Sequence, residues 1–239
     1  MYILGFLAAY FIIKGEAKRK RIEISSDTAS DLVFTIAMGI VVGGRLGYIL
    51  FYDLSWYLAN PLKVLAVWEG GMSFHGGLLG AMAASLYIFR KLGLDFLGMA
   101  DIVSQAGPIG LGLGRLGNFI NGELYGRVTD VSWGVIFPGG GELPRHPSQL
   151  YESFLEGVVL FALLRIVSRT KAPKGTVFWA FIAGYGLFRF MVEFFREPDR
   201  QIGFLWGGAT MGQLLSLPML LVGVGMIIAG YVGKGRDNS

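Results

Sequence analysis

Long runs of apolar residues, separated by short polar or basic stretches, follow one another along the whole chain. A run of about 20 apolar residues is long enough to cross the hydrocarbon core of a bilayer as a helix. The pattern therefore predicts an all-α integral membrane protein, a bundle of about seven transmembrane helices in a single polytopic domain. The predicted segments cover residues 1–13, 32–51, 72–89, 97–120, 150–167, 177–195 and 211–232.

The first segment is short for a membrane span. Its 13 residues rise about 20 Å as a helix, against roughly 30 Å of hydrocarbon. A signal-peptide core is the alternative for so short a segment, but no basic region precedes it and no small-residue cleavage pattern follows it. We expect a first helix that lacks its outer turns. Thr28 and Asp31, three residues apart, predict the capped start of the second segment.

The basic residues of the connections are distributed unevenly. When the segments alternate in direction, the basic clusters at 14–21, 90–91, 169–174 and 234–236 all fall on one side. The positive-inside rule makes this side cytoplasmic, so we expect the N-terminus outside and the C-terminus inside. The connection 121–149 then lies outside. Its apolar residues, such as Trp133 and Phe137, indicate an ordered cap, with room for short strands, rather than a solvated loop.

Composition agrees with the membrane class, because 53% of the residues are hydrophobic and 16% are charged. The net charge of +4 comes from basic residues whose distribution fits the membrane topology, so we expect no nucleic-acid partner. The chain has no cysteine, so any thiol that takes part in chemistry must come from a substrate. The fourth segment carries glycines that predict close helix packing, with Gly110 and Gly114 spaced as a GxxxG pair: Gly107, Gly110, Gly112, Gly114 and Gly117.

Polar residues cluster where the fourth segment ends. Arg115, Asn118 and Gly122 share one helical stripe, and Asn121 and Glu123 follow at the helix exit. Arg115 has no carboxylate at helical spacing, so its partner must come from another helix or from a ligand. The planar guanidinium is suited to a phosphate, because it can bind two oxygens at once. Charged residues inside a span indicate function by default.

The sixth segment carries a second polar stripe. Arg189 and Glu193 are four residues apart, Tyr185 precedes Arg189 by four, and Arg196 follows it by seven. A structural ion pair is the alternative to a functional role for Arg189 and Glu193. On the second segment, Arg45 and Tyr48 form a similar but smaller polar stripe. Their spacing is equally compatible with a structural role and with a role in the site.

Two histidines are available as bases. His75 stands among glycines at the start of the third segment, which leaves space for a substrate. An imidazole with an ordinary pKa of about 6.5 is suited to taking a proton from a thiol. The alternative is a histidine hydrogen-bonded between helices. His146 precedes Pro147 and is interpreted as a capping or loop residue. Two distant histidines without cysteine predict no metal site.

These patterns are compatible with two classes of function. In a lipid-modifying transferase, bilayer lipid enters sideways, arginines hold its phosphate, and a thiol attacks. In a transporter or channel, charges line a path across the bilayer. The predicted charges are concentrated in the outer half of the membrane, and no inverted repeat is evident, which favours the transferase.

Four stretches together resemble one protein family. They are GRLGNFINGELYGR at residues 114–127, GGMSFHGGLLG at 70–80, RHPSQLYE at 145–152 and YGLFRFMVEFFREPD at 185–199. Their sequence and order are similar to those of the prolipoprotein diacylglyceryl transferases, and the resemblance covers nearly the whole chain. Members usually carry an upstream Trp-Tyr-Gly stretch, and the tyrosine of that stretch has no counterpart in this chain.

The resemblance implies an enzyme that moves the diacylglyceryl group of phosphatidylglycerol to the lipobox cysteine of a prolipoprotein held by its signal peptide. A thioether forms and glycerol 1-phosphate leaves. No metal or organic cofactor is required. We expect a monomer in the bacterial inner membrane, with its active site towards the outer leaflet. The predicted catalytic residues are His75, Arg115 and Arg189. The predicted substrate-binding residues are Arg115, Asn118, Asn121, Gly122, Glu123, Gly126, Tyr185, Glu193, Arg196, Arg45 and Tyr48.

Overall fold

The computed structural model describes residues 1–198 and 205–237. Within these residues the chain is helical and contains no strand. The helices are α1 (Tyr2–Arg19), α2 (Ser26–Tyr52), α3 (Leu54–Ala59), α4 (Phe74–Lys91), α5 (Phe96–Val103), α6 (Gly107–Asn121), α7 (Ser148–Glu152), α8 (Leu160–Ser168), α9 (Thr176–Val192) and α10 (Met211–Asp237). A π-helix, Ser153–Val159, joins α7 to α8.

The predicted all-α class is confirmed. By length and composition, three helical segments of the described chain are able to cross a membrane: Ser26–Tyr52, Phe96–Asn121 and Met211–Gly235. Thr176–Val192 is a shorter apolar helix. Every predicted segment coincides largely with helical residues, although the fourth is divided between α5 and α6. Pro108 lies in the first turn of α6, where a missing backbone N–H costs no hydrogen bond.

The chain folds into two compact units, one of residues 14–99 and one of residues 1–13 and 100–239. In the unit of residues 14–99, α2 and α4 cross at glycines. A Cβ atom at Gly43 would lie 2.7 Å from the Cα of Gly80, and one at Gly76 would lie 2.9 Å from the Cα of Gly47. The two backbones are therefore in direct contact. Ser25 caps α2 by accepting a 3.0 Å hydrogen bond from the N–H of Thr28, so the predicted capping start at Thr28 was wrong.

In the other unit, α8, α9 and α10 share an apolar core. Leu160, Leu164, Val177 and Ala180 are buried together, with Met219 and Ile227 packed against them. The carboxylate of Asp101 accepts hydrogen bonds of 2.9 Å from the backbone N–H groups of Gly175 and Phe178. This side chain satisfies donors at the N-terminus of α9, where a negative charge is also favoured by the helix dipole.

The close packing predicted for the glycines of α6 is found at Gly112. A Cβ atom at Gly112 would lie 3.1 Å from the Cα of Gly157 in the π-helix. The hydroxyl of Ser153 donates a 3.0 Å hydrogen bond to the carbonyl of Gly112. A Cβ atom at Gly110 or Gly114 would meet no described atom within 4 Å, although one at Gly5 of α1 would lie 3.7 Å from the Cα of Gly110. The predicted close packing is therefore confirmed at Gly112, while the GxxxG spacing does not mark the closest contact.

The connection between α6 and α7 is ordered by specific contacts. Phe137 is buried against the rings of Phe119 and Tyr125. The guanidinium of Arg145 donates hydrogen bonds to the carbonyls of Gly140 (2.8 Å) and Gly126 (3.1 Å). Isolated bridges pair residues here in place of strands within the described chain. The connection is therefore a packed substructure that closes over the end of α6.

Candidate functional site

Three arginines and three glutamates from separate elements meet in the unit of residues 1–13 and 100–239. This arginine–glutamate cluster consists of Arg115 from α6, Glu152 from α7, Glu156 from the π-helix, Arg189 from α9, and Glu193 and Arg196 from the segment after α9. The fold brings together both predicted stripes, which are 74 residues apart in sequence when measured from Arg115 to Arg189. Two of its members, Glu152 and Glu156, were not predicted as site residues.

Glu152 is the centre of the cluster. Its side chain is fully buried, and its Oε1 accepts hydrogen bonds from Arg189 and from Arg196, the latter at 3.1 Å. Its Oε2 lies 3.3 Å from Nε of Arg115. One carboxylate therefore fixes three guanidinium groups relative to one another.

Arg115 is paired across helices. Its Nε faces Glu152 and lies 3.8 Å from Oε2 of Glu156. The sequence left open whether its partner was another helix or a ligand, and the structure provides two carboxylates from another helical segment. In both of these contacts the carboxylate oxygen lies nearest to Nε of the guanidinium.

The predicted pair of Arg189 and Glu193 is present, with Nη2 of Arg189 2.9 Å from Oε2 of Glu193. Arg127 fixes the chain that follows, because its guanidinium donates to the carbonyls of Arg196 (2.9 Å) and Glu193 (3.2 Å). Burial lowers the pKa of Arg196 and the charge of Arg189 acts in the same direction. Tyr185 is buried one turn before Arg189, next to the apolar core.

Glu156 differs from the other two carboxylates. Its side chain is 0% exposed, and neither of its oxygens has a hydrogen-bond partner among the described residues. Its nearest cation, Arg115, is also nearer to Glu152. An ionised carboxylate that is buried without hydrogen bonds is costly. Glu156 is therefore the least compensated charged group of the cluster.

A polar corner lies where α6 ends. It consists of the predicted site residues Asn118, Asn121, Gly122 and Glu123. Glu123 accepts hydrogen bonds from the amides of Asn118 (2.9 Å) and Asn121 (3.2 Å). Gly122 has a left-handed φ of +68°, which ends α6 and lets the chain turn back. The carbonyl of Glu123 accepts a 2.6 Å hydrogen bond from Gln149, so this corner is tied to the helix that carries Glu152.

Gly126 occupies a position without room for a side chain. A Cβ atom there would lie 2.7 Å from Cβ of His146. The N–H of Gly126 donates a 2.9 Å hydrogen bond to the carbonyl of His146, and Gly126 forms an isolated bridge with Arg196. Gly126 therefore holds the Arg196 backbone close to the loop. His146 lies in this loop, and its ring is 3.2 Å from the hydroxyl of Tyr151.

Three predicted site residues belong to the unit of residues 14–99. The buried guanidinium of Arg45 donates to backbone carbonyls that include those of Val64 (3.0 Å), Ala66 (3.0 Å) and Gly71 (3.2 Å). These contacts favour the scaffold interpretation of Arg45. Tyr48 stacks on Tyr52, with ring centroids 5.3 Å apart. His75 is part of α4, but its side chain lies outside the described part of the structure.

The arrangement is suited to binding an anion next to the membrane. Three guanidinium groups converge in a site whose side chains are largely buried, and burial strengthens their attraction for a negative charge. The carboxylates between them prevent the arginines from repelling one another. A phosphate that displaced none of these pairs would meet preformed, oriented N–H donors.

Comparison with known proteins identifies related sequences over almost the whole chain. A family model described as prolipoprotein diacylglyceryl transferase matches residues 1–229. A phosphatidylglycerol–prolipoprotein diacylglyceryl transferase of Geobacter sulfurreducens is 63% identical over 95% of this chain and 88% of its own length. Proteins of the same name from Vibrio campbellii and Vibrio vulnificus are 51% and 52% identical, each over 97% of this chain and 85% of its own length.

Proposed function

Since the chain belongs to the prolipoprotein diacylglyceryl transferase family, we propose that it transfers the diacylglyceryl group of phosphatidylglycerol to the lipobox cysteine of a prolipoprotein. The sulfur forms a bond to the terminal glycerol carbon of the diacylglyceryl group. The bond between that carbon and the phosphate oxygen breaks, and glycerol 1-phosphate leaves. The observation that carries the proposal is the convergence of Arg115, Arg189 and Arg196 on one buried site.

In this reaction the arginines stabilise the phosphate as it departs. The guanidinium groups of Arg115 and Arg189 bind the phosphate oxygens, while Glu152 holds both side chains in place and Glu193 holds that of Arg189. Asn118, Asn121 and Glu123 supply polar contacts for the glycerol headgroup. Thiolate rather than thiol is the nucleophile, so a base is needed, and His75 is the candidate.

The test uses purified protein, phosphatidylglycerol labelled in its acyl chains and an acceptor peptide that contains the lipobox cysteine. We expect label to move to the peptide and glycerol 1-phosphate to appear in equal amount. A peptide with serine in place of the cysteine is the matched control. Counterflow of solute in liposomes, with no lipid turnover by folded protein, would contradict the proposal and favour a transporter.

We also propose a topology of seven spans with the N-terminus outside, the C-terminus inside and residues 121–149 as an outer cap. The enzyme then works as a monomer in the bacterial inner membrane, with its site towards the outer leaflet. Because the chain has no cysteine, single introduced cysteines report topology directly. Gly141→Cys should react with a membrane-impermeant thiol reagent in intact spheroplasts, and Thr170→Cys only after permeabilisation. The reverse pattern would refute the orientation.

A further inference from the structure

The charges of the arginine–glutamate cluster cancel when every member is ionised. Three guanidinium groups, from Arg115, Arg189 and Arg196, face three carboxylates, from Glu152, Glu156 and Glu193. A phosphodiester headgroup brings one negative charge. A neutral cluster would have to bury that charge without a compensating one, which is unfavourable in a low-dielectric site.

One more positive charge, or one fewer negative charge, would make the site complementary to the phosphodiester. The carboxylates of Glu152 and Glu193 are each held by a close arginine contact, at 3.1 Å and 2.9 Å. Glu156 has only the 3.8 Å approach of Arg115, is 0% exposed, and has no hydrogen-bond partner for either oxygen among the described residues. Protonation of Glu156 therefore loses less ion-pair stabilisation than protonation of Glu152 or Glu193 would.

We propose that Glu156 is the protonation site of the cluster, and that its carboxyl is neutral when an anionic phosphodiester headgroup is bound. The cluster then carries one net positive charge, which matches the single charge of the ligand. This inference deepens the proposed function and rests on it for the identity of the ligand. It makes Glu156 a positioning residue, since it sets the charge of the site and need not touch the reacting atoms.

The groups that face Glu156 come from every helical segment around it. They are Arg115 on α6, Glu152 on its own segment, Tyr185 and Arg189 on α9, and Arg196 after α9. The arginines favour the ionised form of Glu156, whereas Glu152 and burial favour the neutral form. A bound phosphodiester adds a negative charge and shifts this balance towards the neutral form. Binding should therefore take up a proton whenever Glu156 is ionised in the free enzyme.

The coupling between proton binding and headgroup binding then determines how the affinity for the headgroup changes with pH. Because the complex holds the proton more tightly than the free enzyme, affinity for the headgroup is greatest at low pH and falls as the pH rises. The decrease approaches about tenfold for each pH unit once Glu156 of the free enzyme is ionised. Glu156→Gln keeps the size of the side chain and mimics the neutral carboxyl, so the variant should lose this slope.

The experiment titrates phosphatidylglycerol into the enzyme in detergent by calorimetry, without acceptor peptide, across the neutral pH range and in two buffers of different ionisation enthalpy. We expect the parent to take up a proton on binding and to lose affinity as pH rises. Glu156→Gln should bind at all pH values without proton uptake. The matched variant Glu152→Gln removes a carboxylate with close arginine contacts, and it should weaken binding at every pH.

The inference would be overturned if the affinity of the parent and that of Glu156→Gln changed in parallel with pH and the parent took up no proton on binding. Transfer activity of the same parent preparation tests the proposed function separately. If the parent neither binds nor transfers the lipid, the infrared difference between parent and Glu156→Gln still decides the point. A protonated carboxyl band that grows in the parent as the pH falls and is lost in Glu156→Gln supports the assignment. Carboxyl bands that are the same in the parent and in Glu156→Gln at every pH overturn it.

Discussion

Replacing Glu152 by glutamine removes one buried negative charge while keeping the size of the side chain. In the folded protein this carboxylate contacts Arg189, Arg196 at 3.1 Å and Arg115 at 3.3 Å, and its side chain is 0% exposed. Breaking a buried ion pair by removing one partner costs about 3 to 5 kcal/mol, because the remaining charge is left uncompensated. We expect Glu152→Gln to lose about this much stability, a decrease in melting temperature of roughly 6 to 20 °C for a chain of this size.

The matched control is Glu197→Gln. Glu197 also lies 3.1 Å from an arginine, Arg145, but 43% of its side chain is exposed. Exposed ion pairs contribute about 0.2 to 1 kcal/mol, so the same substitution should lower the melting temperature little. Both variants are melted in one detergent at one lipid content. Equal melting temperatures for Glu152→Gln and Glu197→Gln would refute the argument that Glu152 organises the buried arginines.

Three further outcomes follow from the site and the fold. Arg115→Ala should abolish transfer and Arg115→Lys should retain little of it, since loss of a bidentate charged contact costs roughly 2 to 5 kcal/mol; near-normal turnover by the lysine variant would contradict the phosphate role. For His75→Gln, transfer should fall most at low pH and recover partly as the pH approaches the thiol pKa of about 8.5; a rate profile parallel to that of the parent in a folded, lipid-binding variant would exclude His75 as the base. Gly43→Ala should destabilise the protein by about 1 to 3 kcal/mol through overpacking, whereas Gly225→Ala, where a Cβ atom meets no described atom within 4 Å, should be neutral or stabilising in thermal melts.

Helix content and the polar stripes could be predicted because both depend on local spacing. A repeat of 3.6 residues places Arg189 and Glu193 on one face whatever surrounds them, and the pair is found at 2.9 Å. The partner of Arg115 depends on which helix lies beside α6, and local spacing does not contain that information. One signal was present, since Glu152 and Glu156 are four residues apart on an apolar segment, where carboxylates are rare unless they are paired.

Arg45 illustrates a second limit of sequence reasoning. Its partners are backbone carbonyls of residues 63–71, and every residue offers a carbonyl whatever its side chain. The sequence therefore left scaffold and site open for Arg45. The glycines of α6 show a related limit, because the rotation of α6 decides which of them faces the π-helix. Gly112 does so, and Gly110 and Gly114 do not.

The π-helix between α7 and α8 determines the directions in which the side chains before it and after it point. Each residue of an α-helix advances the face by about 100°, and a π-helix accommodates an extra residue by bulging. Glu152 before the bulge faces the arginines, and Leu160 after it faces the apolar core. Deleting one residue from Ser153–Val159 would turn one of these faces away from its partners. The orientation of Glu152 relative to Leu160 therefore depends more on the number of residues in the π-helix than on the identity of an outward residue such as Val158, which is 60% exposed.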